Sequence, residues 1–240
     1  MKTSRLRTVF ACLGLAVLSP STGAADGVTF AFDSDLAGAP PQGVLSSGIG
    51  RASSVTVVQD EIRAAGDLSV EFRASGEDDQ PRLAVLGPDG GFPRAGSIFF
   101  DLVAKENPIH GAFHMKGLTS ENRTAFHFLI TADGAAALRT AEGDTPFATY
   151  IPQQWYIQRL DYDLTKGEYS IVLDCYYASG VTRTLSLNAG ETFEKIVFQG
   201  ESTVPSRFCL DSVRLFTAEG KRRAEALPLG SLSRKIRWET

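Results

Sequence analysis

Two of the chain's three histidines stand in one short stretch, FHMKGLTSENRTAFHF at 113–128, and each follows a phenylalanine. Imidazole donates, accepts and ligates near neutral pH. A pair at mirrored positions therefore suits holding an anion, sharing a proton, or giving two ligands to a metal. The residues between read as a turn. With a four-residue loop at Thr119–Asn122, Leu118 faces Arg123, Met115 faces Phe126 and His114 faces His127. Phe113, Met115, Phe126, Phe128 and Ile130 then share an apolar face, while His114, Lys116, His127 and Leu129 share the other. Three readings stay open for that second face: a polar face with no specific role, a ligand contact, or a metal. A structural metal needs two more ligands. No Cys/His cluster lies nearby, and His110 in the preceding loop is the third histidine.

Aromatic side chains are the next candidates, because sugar C–H faces stack on tyrosine and tryptophan. In QWYIQRLDYD (154–163) alternation puts Trp155 and Ile157 on one side, and Tyr156, Gln158, Leu160 and Tyr162 on the other. The first side is expected to enter the core, leaving Tyr156 and Gln158 for a binding face. Asp161 and Asp163 flank Tyr162 and are the better of the paired carboxylates, but they run straight into the LTKG turn. No strand carries alternating carboxylates of the kind a retaining glycosidase needs, about 5–5.5 Å apart. Gly-x-Ser-x-Gly, phosphate-loop and dinucleotide signatures are missing too.

The elements that must position these residues are strands. Short runs with period-2 patterning recur at 8–14 residue spacing, punctuated by Gly, Pro, Asp and Asn, and make about twelve β-candidates. DLSVEFRAS (67–75) and SIFFDLVAK (97–105) are the clearest. Only AAALRTAEG (135–143) and the C-terminal segment suggest helix. An all-β chain of this length forms a two-sheet sandwich or a closed barrel.

Three stretches carry a family resemblance. FDSDLAGAPPQG resembles the first strand and loop of bacterial secreted jelly rolls. WYIQRLDYDLTKGEYSIVLD resembles paired strands of concanavalin A-like (laminin-G-like) domains, and RFCLDSVRLF resembles their closing strand. The resemblance implies an antiparallel two-sheet jelly-roll sandwich whose concave sheet binds or cleaves glycans. It also implies a structural calcium between the first loop and the closing strand, here at Asp33 and Asp211, although Ser212 stands where relatives carry a second aspartate. The glucanase and alginate-lyase signatures of that fold are not found.

The chain opens with basic MKTSRLR, an apolar TVFACLGLAVL and a small-residue SPSTGAADG, the pattern of a secretory signal peptide cleaved near Ala24 or Ala25. The apolar run falls short of the roughly 20 residues that span a bilayer. Residues 1–24 are thus expected to be the signal, 25–218 one domain and 219–240 a basic tail, in a secreted or periplasmic protein. Without the three basic residues of the signal, 21 basic face 28 acidic residues, net −7, which argues against a broad nucleic-acid surface. The last twenty residues carry net +4 and the body from 25 to 220 carries −11. Cys175 and Cys209 survive cleavage; in an oxidising compartment they suggest a disulfide, with two buried thiols as the alternative.

The expected function is non-catalytic binding of a glycan or envelope polymer through His114, His127, Lys116, Tyr156 and Gln158. No cofactor is required and no nucleic acid is bound. The alternatives are a polysaccharide lyase or glycoside hydrolase, with a histidine or Asp161 as acid–base group, and a structural envelope domain with no small ligand.

Overall fold

The computed structural model describes residues 27–47, 54–59, 67–76, 80–87, 91–174, 179–187, 191–201 and 204–217. The signal-peptide segment, the basic tail and Cys175 lie outside the described residues, as does any bridge from Cys175 to the buried Cys209.

Among the described residues there are fifteen strands and no helix. In chain order they are β1 (Gly27–Phe30), β2 (Leu45–Ser47), β3 (Ser54–Gln59), β4 (Leu68–Ser75) and β5 (Arg82–Leu86). Then come β6 (Ala95–Ala104), β7 (Phe113–Leu118), β8 (Thr124–Ile130), β9 (Ala135–Thr140) and β10 (Gly143–Thr149). The last five are β11 (Tyr156–Asp163), β12 (Glu168–Asp174), β13 (Ser179–Thr184), β14 (Lys195–Gly200) and β15 (Pro205–Thr217). Their pairings are antiparallel and build two sheets. Sheet A runs β13-β12-β11-β6-β15-β4-β3, with β1 on β15 beyond the end of β4. Sheet B runs β10-β9-β8-β7-β14-β5-β2. The protein is an antiparallel two-sheet jelly-roll sandwich.

Phenylalanines lock the sheets together. Phe72 and Phe208 of sheet A meet Phe113 of sheet B at ring-centroid distances of 5.3 and 5.1 Å, and Phe100 meets Phe198 at 5.2 Å. Each sits at an inward-facing position of its own strand, where period-2 alternation delivers it to the shared interior. Edge-to-face and tilted aromatic pairs add about 0.5–1.5 kcal/mol each beyond the area they bury.

AAALRT is β9, not a helix. Alanine favours helix locally, but Ala136, Ala137 and Leu138 are all fully buried here, and β9 pairs with β8 and β10 on its two sides. Tertiary pairing outweighs an intrinsic preference of a few tenths of a kcal/mol per residue. The turn to β10 uses Gly143 at φ +119, and Arg139 grips Asp144 across it.

The β7–β8 register also departs from the simple hairpin. Lys116, not His114, stands opposite His127; His114 faces Leu129, and Met115 faces Phe128. The turn takes an extra residue, with Asn122 at φ 61 and a bulge between Gly117 and Leu118. The Phe126 ring lies over Gly117, leaving no room there for a Cβ. A two-residue slip preserves which face each side chain takes, so both registers bury the same apolar set.

Candidate functional site

His114, Lys116 and His127 share the outer face of sheet B, away from the interior. Two cross-strand rows meet there. One runs Arg82 on β5, Gln199 on β14, His114 on β7 and Leu129 on β8. The other runs Ala84, Val197, Lys116 and His127 on the same four strands. Arg139, one residue past the Phe128–Leu138 pair, brings β9 into the second row, and Asp144 stands opposite it on β10.

Although diagonal in register, the histidines touch. His114 Nδ1 lies 3.0 Å from His127 Nε2, and both residues are 8% exposed. One ring donates this hydrogen bond and the other accepts it. Burial pushes both pKa values down, His114 to about 4 and His127 to about 3. The charges of Lys116 and Arg139 add to the effect on both, and His114 itself disfavours protonation of His127. The dyad is therefore neutral at physiological pH. Each neutral imidazole has one N–H and one bare nitrogen. Once the shared hydrogen bond is made, either choice of tautomers leaves one donor and one acceptor, at His114 Nε2 and His127 Nδ1. Separate hydroxyls of a polyol, each able to donate or accept, match those two nitrogens.

Lys116 carries the charge of the site. Its pKa is lowered by burial and by the nearby Arg82 and Arg139. Arg139 is held in a two-pronged ion pair, Nε to Asp144 Oδ1 at 2.7 Å and Nη2 to Oδ2 at 2.8 Å, which lowers the Asp144 pKa. Glu201 lies close enough to His114 to favour its protonated form slightly, while its Oε2 accepts the Ala112 backbone N–H at 2.8 Å.

Tyr156 and Gln158 are not part of this site. The alternation along β11 is as expected, but its sense is inverted: Tyr156, Gln158, Leu160 and Tyr162 point into the interior, whereas Ile157 is half-buried on the outer face of sheet A. Trp155, just before β11, is half-buried as well. The signal lay in the same strand, where Arg159, Asp161 and Asp163 share the Ile157 face and exclude it from a core. The Tyr156 hydroxyl accepts the Ile151 backbone N–H, and burial pushes the Tyr162 pKa upward. Gln158 is fully buried opposite Phe100 and Leu173, and neither of its amide atoms has a partner among the described residues.

Asp161 lies on the other sheet from the histidines. Ser97 Oγ donates to its Oδ1 at 2.5 Å, and Arg159 Nε sits 3.0 Å from its Oδ2. Asp163 is committed to its turn, where it accepts from Thr165 and from the Lys166 backbone. The histidine pair, Asp161, and the buried Tyr156 and Tyr162 thus belong to three separate places.

Asp33 is exposed beyond β1. Asp211 is buried at the β15 bulge, where its Oδ1 accepts the Ser212 backbone N–H at 2.6 Å and Ser212 adopts φ 52. Among the described residues no group of three or more His, Cys, Asp or Glu side chains gathers as a metal cluster.

Sequence reasoning did not reach Arg82, Arg139, Asp144 or Gln199. Arg139 was hidden in a segment with helical composition, Asp144 follows that segment, and Arg82 and Gln199 join only through the β14 pairings.

No family model matches the chain, and no curated protein matches it in sequence. Solved structures match its fold. A protein of unknown function from Shewanella oneidensis MR-1 superposes with a TM-score of 0.54 at 13% identity, over 90% of this chain and 96% of that one. A sialidase gives 0.53 at 12% identity over 69% of this chain, which spans only 17% of the sialidase. A carbohydrate esterase from the Shiga toxin-encoding bacteriophage phi24B gives 0.52 at 15% identity, over 73% and 90% of the two chains. The likeness is one of fold.

Proposed function

We propose that this protein is a secreted or periplasmic, concanavalin A-like glycan-binding domain, whose binding surface is the outer face of sheet B around His114, His127 and Lys116. The observation that carries the reading is the neutral, hydrogen-bonded histidine dyad, which offers one donor and one acceptor beside a lysine with no partner among the described residues. Gln199 and Arg82 extend the polar row along β14 and β5. The carbohydrate esterase and the sialidase of similar fold agree with a saccharide ligand.

Binding is favoured over catalysis by the same pKa values. A general base works best when its pKa lies near the working pH. Imidazoles held at about 4 and 3 are weak bases at neutral pH.

A glycan array on the wild-type chain and on the variants His114→Gln and His127→Gln tests the reading. Wild type should bind a defined set of glycans, and each variant should lose about tenfold in affinity, the scale of one polar contact of roughly 1.4 kcal/mol. Glycan binding that survives both substitutions would move the site elsewhere. Release of unsaturated products from a polysaccharide would replace the binding reading with a lyase.

A further inference from the structure

The outer face of sheet B does not end at the histidines. Where β13 leaves sheet A, the Ser186 backbone N–H donates to the Ala125 carbonyl and Leu185 N–H to the Gly167 carbonyl, so the chain crosses from one sheet to the other at the sandwich edge. A cleft of about 340 Å³ opens at this crossing, bounded by the start of β8, the β9–β10 turn and the end of β13. His127 and Arg139 line both the cleft and the dyad face, which makes the two surfaces continuous. The volume falls within the roughly 300–1,000 Å³ of small-molecule sites.

The cleft's chemistry is that of a sugar site with a charge. Thr124, Thr184 and Ser186 bring hydroxyls, and Phe126 and Tyr169 bring aromatic carbon. Arg183 lines the cleft with one N–H donated to the Thr182 carbonyl at 2.8 Å, and no carboxylate faces it among the described residues. Among the described residues Lys116 and Arg82 also have no carboxylate partner. Three acids border this path: Asp144 holds Arg139, Glu201 accepts the Ala112 N–H and reaches His114 and Arg139 with its charge, and Glu142, exposed at the turn in the cleft, is hydrogen-bonded to Thr140. A cationic line, Arg82–Lys116–Arg139–Arg183, thus crosses the face and turns into the cleft, on a body that is otherwise acidic.

We infer that the ligand of this surface is an acidic polysaccharide, its carboxylate or sulfate groups meeting Lys116 and Arg183 and one of its sugar rings entering the edge cleft. The inference rests on the glycan-binding reading and adds the substrate class. Carboxylate and sulfate present the same anionic oxygens to lysine and arginine, so the polymer supplied in the test separates them.

The test is equilibrium binding of the full chain to polygalacturonate, dextran sulfate and unsubstituted dextran, at low and high salt. Both or either of the charged polymers should bind more tightly than dextran, and the advantage should shrink as salt screens it. Arg183→Gln and Lys116→Gln should each weaken charged-polymer binding about two- to fivefold, the scale of a partly exposed ion pair. Asp144→Asn, which frees Arg139, should strengthen it. These effects should be absent with dextran. Dextran binding as tightly as the charged polymers, or an Arg183→Gln variant with unchanged affinity for all three, overturns the acidic ligand and leaves the glycan reading standing. Single-stranded DNA binding as well as either charged polymer marks a general polyanion surface and overturns the saccharide assignment here. Failure of all three polymers together with a silent glycan array removes the glycan reading itself.

Discussion

Burial keeps His114 and His127 neutral, and this sets how the protein meets acid. The folded pKa values, about 4 and 3, lie below the usual 6.5, so between pH 6.5 and 4 the unfolded chain holds more protons than the folded one. Stability therefore falls as pH drops through that window, and falls further toward pH 3 as His127 titrates. At about 1.4 kcal/mol per pKa unit the pair contributes on the order of a few kcal/mol to this loss. Urea unfolding across this range should show the slope in wild type and a flatter profile in the His114→Gln/His127→Gln double variant; equal slopes would exclude the dyad as the cause. Gln158 poses the opposite problem, a polar group kept neutral but left without partners. An unmet buried amide costs about 1–3 kcal/mol, so Gln158→Met should raise the melting temperature without touching glycan affinity. A drop in stability would mean that the amide has a partner, such as a buried water.

At the level of the element, the β7–β8 hairpin decides how the dyad is assembled. The direct-facing register and the observed one bury the same five apolar side chains, so hydrophobic pattern cannot choose between them. The choice lies in the turn, where Asn122 takes a left-handed conformation, and in Gly117, over which the Phe126 ring lies. Gly117→Ala places a methyl group against that ring and should cost about 1–3 kcal/mol, as overpacking does. Amide exchange at Phe126–Phe128 should quicken in that variant; unchanged protection would show that the ring moves aside freely. The β9–β10 hairpin makes the matching point. Its alanines suit a helix, yet as a strand they leave room for dense packing, while Arg139 and Asp144 reach the site from it.

Across the whole molecule, the two outer faces differ in charge pattern. On sheet A, Arg207 sets its Nε 3.0 Å and its Nη2 2.5 Å from Glu71 Oε2, Arg73 lies 3.2 Å from the other oxygen, and Arg214 leans on Asp101 at 3.6 Å. Arg159 likewise sits against Asp161. On the outer face of sheet B, Arg82 and Lys116 have no acid among the described residues, and Arg183, at the β13 edge of sheet A, has none either. Asp161→Asn, on sheet A, should therefore lower stability by about 1 kcal/mol or less, since its arginine is over a third exposed, and leave glycan affinity unchanged. Loss of binding in this variant would place the functional face on sheet A.

Fold class was legible in the sequence because side-chain alternation is local: two-residue periodicity in SIFFDLVAK or EYSIVLD sorts residues onto faces without reference to any partner strand. The placement of His114, Lys116 and His127 on one polar face was legible for the same reason. Tertiary structure decided what alternation leaves open. It chose which side of β11 faces inward, and so moved Tyr156 and Gln158 from surface to core. It turned an alanine-rich segment into two strands, and it brought Arg82, Gln199, Arg139 and Arg183 to the histidines from strands distant in sequence. Those outcomes depend on strand order and register, which are set by the summed packing of both sheets rather than by any single run of residues.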